Sequence, residues 1–287
     1  LVDVFAETKY AGNQLAVIPN ATDLTTLQMQ QIANETHFSE TTLITSNQPH
    51  NGGYDVRIFT PKQEVPFAGH PTLGTAYIIK QYIAEGNPDT VTLNLGVGQI
   101  PVSFQKNYAG QEVLWMRQKP PVFQEKFSIE ELAAILQLSP SDFDGRFPIQ
   151  EVSTGMPFMI VPLKTLDAIK RARVDLTKLQ KIADRVHGGI LTFCPQTYNP
   201  ENNLNVRVFV DLFGIPEDPA TGSGNGCLAA YLSKYQYFGS DKVDARVEQG
   251  FEINRPSLLL LKAHAAGEDI AVSVGGKVVL VGLGTLV

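Results

Sequence analysis

Residues 57–70 read RIFTPKQEVPFAGH, and residues 207–223 read RVFVDLFGIPEDPATGS. Each stretch begins with a β-branched or aromatic run typical of a strand and ends in a glycine loop that leads into a helix-like apolar run. The leading arginines are 150 residues apart, whereas the loop glycines, Gly69 and Gly222, are 153 apart. The second loop is therefore three residues longer. This matched order predicts a chain built from two similar halves.

The repeat extends to the N-terminal side of both stretches. At the same offset of 150 residues, Ile32-Ala33-Asn34, His37 and Thr42 match Ile182-Ala183-Asp184, His187 and Thr192. Apolar spacing predicts helices over 23–35 and 71–84 and from Gly222 onward. Short runs rich in β-branched residues predict strands over 41–45, 54–60, 91–95, 100–104, 113–116, 243–248, 257–263, 270–274 and 277–281. Strands grouped around a few helices favour an α+β fold over a doubly wound parallel sheet.

The predicted boundary between the halves lies between residues 118 and 122. Pro120 and Pro121 interrupt the chain there, just before a capping box at Ser128–Glu131. We expect an N-terminal half over 1–118, which the C-terminal strand 277–287 can complete, and a C-terminal half over 122–276.

Composition and charge exclude several classes of protein. The 287 residues are 43% hydrophobic, enough for a large core, and the net charge of −6 gives no general attraction to nucleic acid. No apolar run is long enough to span a membrane, and the first residues lack a signal-peptide pattern. With Cys194 and Cys227 as the only cysteines, the sequence predicts a cytoplasmic protein without disulfides. No cysteine or histidine spacing predicts a metal site.

The two glycine loops predict anion binding. Each loop precedes a helix, so unpaired N–H groups and the positive end of the helix dipole point to one place. If the halves face each other, the two helix N-termini would suit a carboxylate and the negative charge of a deprotonated carbon acid. The alternative is that the glycines only permit tight turns. Residues 222–226 fit neither the dinucleotide fingerprint nor the P-loop.

A difference between the halves points to the reacting acid. Counting 150 residues on from Glu40 gives Ile190, so only one half carries a carboxylate there. Between Phe38 and a strand, Glu40 is expected to be partly desolvated, which raises a carboxyl pKa towards the range of a general base. The alternative is an ordinary surface glutamate. His70 and Asp218, one in each loop, can face each other as a proton-relaying or ligand-orienting pair. The alternative is that Asp218 is a plain turn or cap residue.

Five motifs resemble the signatures of the PhzF family. They are Val2-Asp3-Val4-Phe5-Ala6, Gly12-Asn13-Gln14-Leu15-Ala16-Val17, Ser39-Glu40-Thr41-Thr42, Phe67-Ala68-Gly69-His70-Pro71-Thr72-Leu73-Gly74 and Asp218-Pro219-Ala220-Thr221-Gly222-Ser223. The resemblance implies a fold similar to diaminopimelate epimerase, in which two like halves each wrap a mixed β-sheet around a central helix. It also implies a homodimer and no cofactor.

The same resemblance implies a cofactor-independent isomerase that moves a proton within a small carboxylate-bearing molecule, such as trans-2,3-dihydro-3-hydroxyanthranilate. It gives Glu40 the role of proton shuttle and has His70 and Asp218 orient the substrate or relay protons. Substrate binding falls to Ser39, Gly69, Gly222 and Ser223.

Two other functions stay open at this point: a non-catalytic carboxylate-binding protein, and an amino-acid racemase or epimerase. The related racemases use a cysteine just before each loop glycine, whereas this chain has Ala68 and Thr221 there. A two-thiol mechanism is therefore not expected, and Cys227 is expected to be a core residue.

Overall fold

The computed structural model describes residues 1–286, without the side chain of Phe213. The chain forms two compact units. The first comprises residues 1–117 and the C-terminal segment from Gly275, and the second comprises Gln118–Val274. The division thus falls at the N-terminal edge of the expected 118–122 segment, and the last strand belongs to the first unit.

Eighteen strands and six α-helices lie within the described residues. The helices are α1 (Thr26–Thr36), α2 (Gly69–Tyr82), α3 (Ile129–Leu136), α4 (Leu166–Arg171), α5 (Leu176–Gln180) and α6 (Gly222–Lys234). The strands are β1 (Val2–Val4), β2 (Asn13–Ile18), β3 (Thr41–Ile44), β4 (Tyr54–Phe59), β5 (Glu64–Val65), β6 (Thr90–Leu95), β7 (Gly98–Lys106), β8 (Glu112–Arg117), β9 (Val122–Phe127), β10 (Ile149–Ser153), β11 (Pro157–Pro162), β12 (Gly189–Cys194), β13 (Leu204–Val210), β14 (Ile215–Asp218), β15 (Val243–Gln249), β16 (Ser257–Ala266), β17 (Asp269–Gly276) and β18 (Val278–Leu280). The protein is therefore a mixed α+β protein.

The helices and strands predicted from sequence are confirmed, with ends shifted by at most three residues. The capping box at Ser128–Glu131 is also present at the start of α3. One matched segment differs. Ile182-Ala183-Asp184, the counterpart of a segment in the middle of α1, lies in a turn beyond α5, which has only five residues. Two identical residues and one similar residue did not show that the helix before this segment ends at Gln180.

In the first unit, a mixed sheet surrounds α2. The strand order is β18-β1-β2-β3-β4-β6-β7-β8. The short strand β5 pairs with the C-terminal end of β4, on the edge opposite β3. β2–β3 and β4–β6 are parallel, and the other pairs are antiparallel. α2 packs against β1, β2, β3, β6, β7, β8 and β18, and its residues are buried from Gly69 to Ala76. A helix that is apolar on all sides is stable only in such a core.

The second unit repeats this arrangement around α6. The order is β9-β10-β11-β12-β13-β15-β16, with β14 on β13. β11–β12 and β13–β15 are parallel, and the other pairs are antiparallel. α6 packs against β10, β11, β12, β15 and β16. From β10 to β16, antiparallel and parallel pairs follow each other in the same order as from β1 to β7. The repeat predicted from the sequence is therefore also a repeat of strand pairing.

One ion pair occurs at the same place in both units. Arg57 of β4 forms two hydrogen bonds to Glu64 of β5, and Arg207 of β13 forms two to Glu217 of β14. The side chain of Arg57 is 29% exposed, whereas that of Arg207 is only 5% exposed. Each pair ties together the two strands of the hairpin that leads into a glycine loop.

The strand register corrects one part of the repeat. Thr41 pairs with Phe59, but Ile190 pairs with Phe209, so Ile190 corresponds to Thr41 rather than to Glu40. By the same register Thr192 corresponds to Leu43, not to Thr42. The offset along this strand is thus 149 residues, because a one-residue length change precedes it and cannot be seen by counting.

The counterpart of Glu40 is therefore Gly189. A Cβ on Gly189 would lie 2.8 Å from the Phe158 ring and 2.9 Å from the Phe209 carbonyl oxygen. No side chain fits there without displacing its neighbours. The conclusion that only one half carries the acid is unchanged.

Candidate active site

Glu40 lies directly before β3, in the first unit. The next two residues, Thr41 and Thr42, are fully buried. The Thr42 hydroxyl accepts a hydrogen bond of 2.7 Å from the Thr75 hydroxyl on α2, and the Thr41 and Thr36 hydroxyls lie 2.7 Å apart. These bonds fix the start of β3 against two helices. The Glu40 side chain, 20% exposed, is therefore held at a defined place with limited access to water.

His70, the second residue of α2, faces this carboxyl group. Its Nε2 atom lies 3.6 Å from Glu40 Oε2, and its side chain is 6% exposed. Burial lowers the pKa of His70 to about 3, although a hydrogen bond to the main chain of Gln14 opposes that shift. Since Nε2 has no hydrogen-bond partner in the protein, the bond to Gln14 is donated by Nδ1. The imidazole is therefore neutral, and its acceptor nitrogen, Nε2, is the ring nitrogen that lies near Glu40.

The first glycine loop leaves the N-terminus of α2 without a side-chain cap. Its N-cap residue is Ala68, whose carbonyl oxygen accepts hydrogen bonds from both the main chain and the hydroxyl of Thr72. The N–H groups of Gly69 and His70 precede this first intrahelical bond and point away from the helix. Side chains cap α1, α3, α4 and α5, so the open end of α2 is not the rule in this chain.

The second glycine loop has the same construction at α6. Its N-cap residue, Thr221, makes no capping bond, and its carbonyl oxygen accepts bonds from the main chain and the side-chain amide of Asn225. The N–H groups of Gly222, Ser223 and Gly224 precede the first intrahelical bond. Ser223 is half-buried. This end of α6 can bind an anion in the same way as α2.

Asp218, the last residue of β14, is tied to the second loop. Its Oδ2 atom accepts a hydrogen bond from the Thr221 hydroxyl. Two fully buried side chains that the sequence analysis did not single out, Gln249 and Asn225, bind the same loop. An alignment of the two halves would have singled out Gln249, because the corresponding residue of the first half is apolar and a polar residue at a core position is unusual.

Within each unit the structure brings together part of the predicted site. In the first unit, Glu40 contacts His70, Gly69 is adjacent, and half-buried Ser39 precedes Glu40 in a bend. In the second unit, Asp218, Gly222 and Ser223 share one loop and helix end. The expectation that His70 and Asp218 face each other stays a prediction.

Both cysteines are buried, as expected for Cys227. Burial raises the pKa of the Cys194 thiol to about 11 and that of the Cys227 thiol to about 12. Cys227 interacts with Thr154 and with the carbonyl oxygen of Met156. A thiol with such a pKa is protonated at neutral pH, so neither cysteine resembles a catalytic base.

Comparison with known proteins agrees with this arrangement. Residues 2–284 match the family model "PhzC-PhzF: Phenazine biosynthesis-like protein", and the chain belongs to this family of isomerases. It is 34% identical to an uncharacterised isomerase of Pasteurella multocida, covering 100% of this chain and 92% of the relative. It is also 34% identical to trans-2,3-dihydro-3-hydroxyanthranilate isomerase of Pseudomonas fluorescens, covering 100% of this chain and 98% of that enzyme.

Solved structures show the same fold. A PhzF-family phenazine biosynthesis protein of Bacillus anthracis, 29% identical, superimposes with a TM-score of 0.89 over 97% of this chain and 94% of that one. A probable proline racemase of Agrobacterium radiobacter, 13% identical, superimposes with a TM-score of 0.59 over 93% of this chain and 83% of that one. The second likeness concerns the fold alone. As to membranes, no helix among residues 1–286 has the length and apolar character needed to cross a bilayer.

Proposed function

We propose that this protein is a cofactor-independent isomerase that moves a proton between two carbons of a small carboxylate-bearing molecule. A dihydroaromatic amino acid such as trans-2,3-dihydro-3-hydroxyanthranilate is the proposed substrate class. The observation that carries the proposal is the Glu40–His70 pair, at 3.6 Å, in a chain whose two thiols are buried.

Glu40 is proposed to be the proton carrier. The neutral His70 ring donates from Nδ1 to Gln14 and offers only a lone pair from Nε2. As a carboxylate, Glu40 can take a proton from one carbon as a base and then return it to another carbon as an acid. The buried His70 ring, 3.6 Å away, limits where the carboxyl group can lie, and with a pKa of about 3 it does not take up the proton between the two steps.

The helix ends are proposed to bind the oxygens of the substrate. A substrate carboxylate, and the enolate-like charge that forms when a carbon loses its proton, are stabilised by main-chain N–H groups at a helix N-terminus. Gly69 of α2 and Gly222 and Ser223 of α6 supply such groups in the two units. Ser39 and Asp218 are proposed to orient the polar substituents of the substrate.

The test is deuterium exchange in D₂O with trans-2,3-dihydro-3-hydroxyanthranilate as the probe. We expect the wild-type protein to exchange or transfer a carbon-bound proton, and Glu40→Gln to lower kcat by about 10³-fold or more, because it removes the group that carries the proton. Affinity for the probe should change little, since the amide is nearly isosteric with the acid.

The matched control is Glu35→Gln, which changes an exposed glutamate of α1. It should retain the wild-type rate. Wild-type exchange or isomerisation that survives in Glu40→Gln would refute the role of Glu40, and the absence of both exchange and isomerisation in the wild type would refute the substrate class.

A further inference from the structure

Gln249 ends β15 beside the second glycine loop and is fully buried. The next residue, Gly250, has a φ of +78°, and a Cβ there would lie 2.6 Å from the carbonyl oxygen of Pro219. Only glycine combines this backbone conformation with so close an approach. The end of β15 is therefore pressed against residues 218–221.

The Gln249 amide uses its whole hydrogen-bonding capacity on this loop and helix. Oε1 accepts from the Thr221 N–H at 3.2 Å and from Asn225 Nδ2 at 2.8 Å. Nε2 donates to the Asp218 carbonyl oxygen at 2.8 Å and to Thr221 Oγ1 at 3.0 Å. A main-chain N–H faces one end of the amide and a main-chain carbonyl faces the other, so the amide has one satisfied orientation.

This orientation sets the direction of the Thr221 hydroxyl. Because Nε2 donates to Thr221 Oγ1, the hydroxyl proton points elsewhere, and it is donated to Asp218 Oδ2. Gln249 thus fixes the Asp218 carboxylate through a hydrogen-bonded chain. Among the residues that Gln249 bonds, Asp218 alone carries a charge.

The first unit shows that the fold itself does not require these hydrogen bonds between Gln249, Thr221 and Asp218. The parallel registers of β4–β6 and β13–β15 make Leu95 the counterpart of Gln249, and in both units a glycine follows that packs on a proline. The counterparts of Asp218 and Thr221 are Val65 and Ala68. The first unit therefore builds the same hairpin, loop and helix with apolar residues at all three positions. The three polar residues, Gln249, Asp218 and Thr221, occur together in the second unit only.

We propose that Gln249 is a positioning residue, which directs the Thr221 hydroxyl at Asp218 and so orients that carboxylate towards the substrate. The proposal rests on the isomerase function proposed above, in which Asp218 orients the substrate. Burying an amide costs free energy unless all its hydrogen bonds are made, so an apolar residue would be the simpler choice for stability alone. In this proposal the second unit retains the Gln249 amide because the amide orients the Asp218 carboxylate.

The experiment compares Gln249→Glu with the wild type. The introduced carboxylate can still accept from Thr221 N–H and Asn225, but it has no proton to donate to Thr221 Oγ1. The Thr221 hydroxyl then turns towards it and away from Asp218. We expect kcat at pH 8 to fall by about 10²-fold with KM changed less than about threefold. The kcat of Gln249→Glu relative to that of the wild type should recover as the pH falls to 5, because the introduced carboxyl group, once protonated, again donates a hydrogen bond to Thr221 Oγ1.

Gln150→Glu is the matched control. Gln150 is a buried glutamine of β10 whose amide bonds Gln124 and Tyr235, away from the loop. The proposal predicts that this variant lacks the recovery of kcat at low pH. Equal losses and equal pH profiles in the two variants would overturn it, since a general penalty for a buried carboxyl would then explain both.

A crystal structure of Gln249→Glu at pH 8 separates this proposal from the proposed function. The Thr221 hydroxyl is expected to turn towards the introduced carboxylate, so that Asp218 loses its hydrogen bond to that hydroxyl. A bond that stays intact would overturn the positioning role, whether or not the wild type isomerises the probe. Absence of wild-type activity together with a lost bond would refute the substrate class and leave the positioning role supported.

Discussion

The neutral state of His70 predicts a specific dependence of stability on pH. The folded pKa is about 3, whereas a histidine in the unfolded chain has a pKa of about 6.5. Between these values the unfolded state binds the proton and the folded state does not. Stability is therefore retained above pH 6.5 and lost as the pH falls, by about 2 kcal/mol at pH 5 relative to pH 8.

The variant that tests this is His70→Asn. The asparagine Nδ2 can replace the donor to the Gln14 carbonyl, while the titrating ring is removed. We expect the variant to be less stable than the wild type at pH 8, because a buried ring is lost, and this deficit to shrink by about 2 kcal/mol at pH 5. Urea unfolding at the two pH values measures the difference.

His187→Asn provides a contrast of opposite sign. A hydrogen bond that the His187 ring donates to the carboxylate of Glu151 raises the pKa of His187, whose ring is largely exposed. Its stabilising effect is present below pH 6.5 and is lost as the pH rises, so this variant should show its larger deficit at pH 5. A His70→Asn deficit equal at both pH values, or an imidazolium signal from His70 in nitrogen NMR at pH 5, would refute the neutral ring.

Three further predictions concern the fold. Glu217→Gln, which breaks the buried pair with Arg207, should cost about 3 kcal/mol of unfolding free energy, whereas the matched Glu64→Gln at the exposed pair should cost about 1 kcal/mol or less; equal losses in urea unfolding would contradict this. Gly189→Ala should cost about 1–3 kcal/mol, because its Cβ meets Phe158 at 2.8 Å, and unchanged stability would show that the strand can adjust. The homodimer stays a prediction: sedimentation should give twice the chain mass, and the mass of a single chain would contradict it.

Local patterns in the sequence predicted about half of the strands and the two central helices. Alternating β-branched residues and glycine loops act within a few residues, so they can be read without knowing the fold. Glu40 and His70 were predicted from their places in the repeat and in the family motifs. Their contact at 3.6 Å depends on how β3 packs against α2, which the sequence does not display.

The remaining features depend on pairing between distant segments. Gln249 lies 28 residues beyond Thr221, and its role follows only from where β15 ends beside the loop. Gly189 became the counterpart of Glu40 only when the strand registers were compared. A one-residue shift in a strand changes which side chains correspond, and counting along a single sequence cannot detect it.

The most direct test of the account is a structure of the protein with 3-hydroxyanthranilate bound. If Glu40 carries the proton, one of its carboxyl oxygens should lie about 3 Å from the path of a proton on the ring. The ligand carboxylate should accept hydrogen bonds from main-chain N–H groups at a glycine loop. A ring bound elsewhere, or bound in the loops with the Glu40 carboxyl group directed away from every ring carbon, would contradict the assignment.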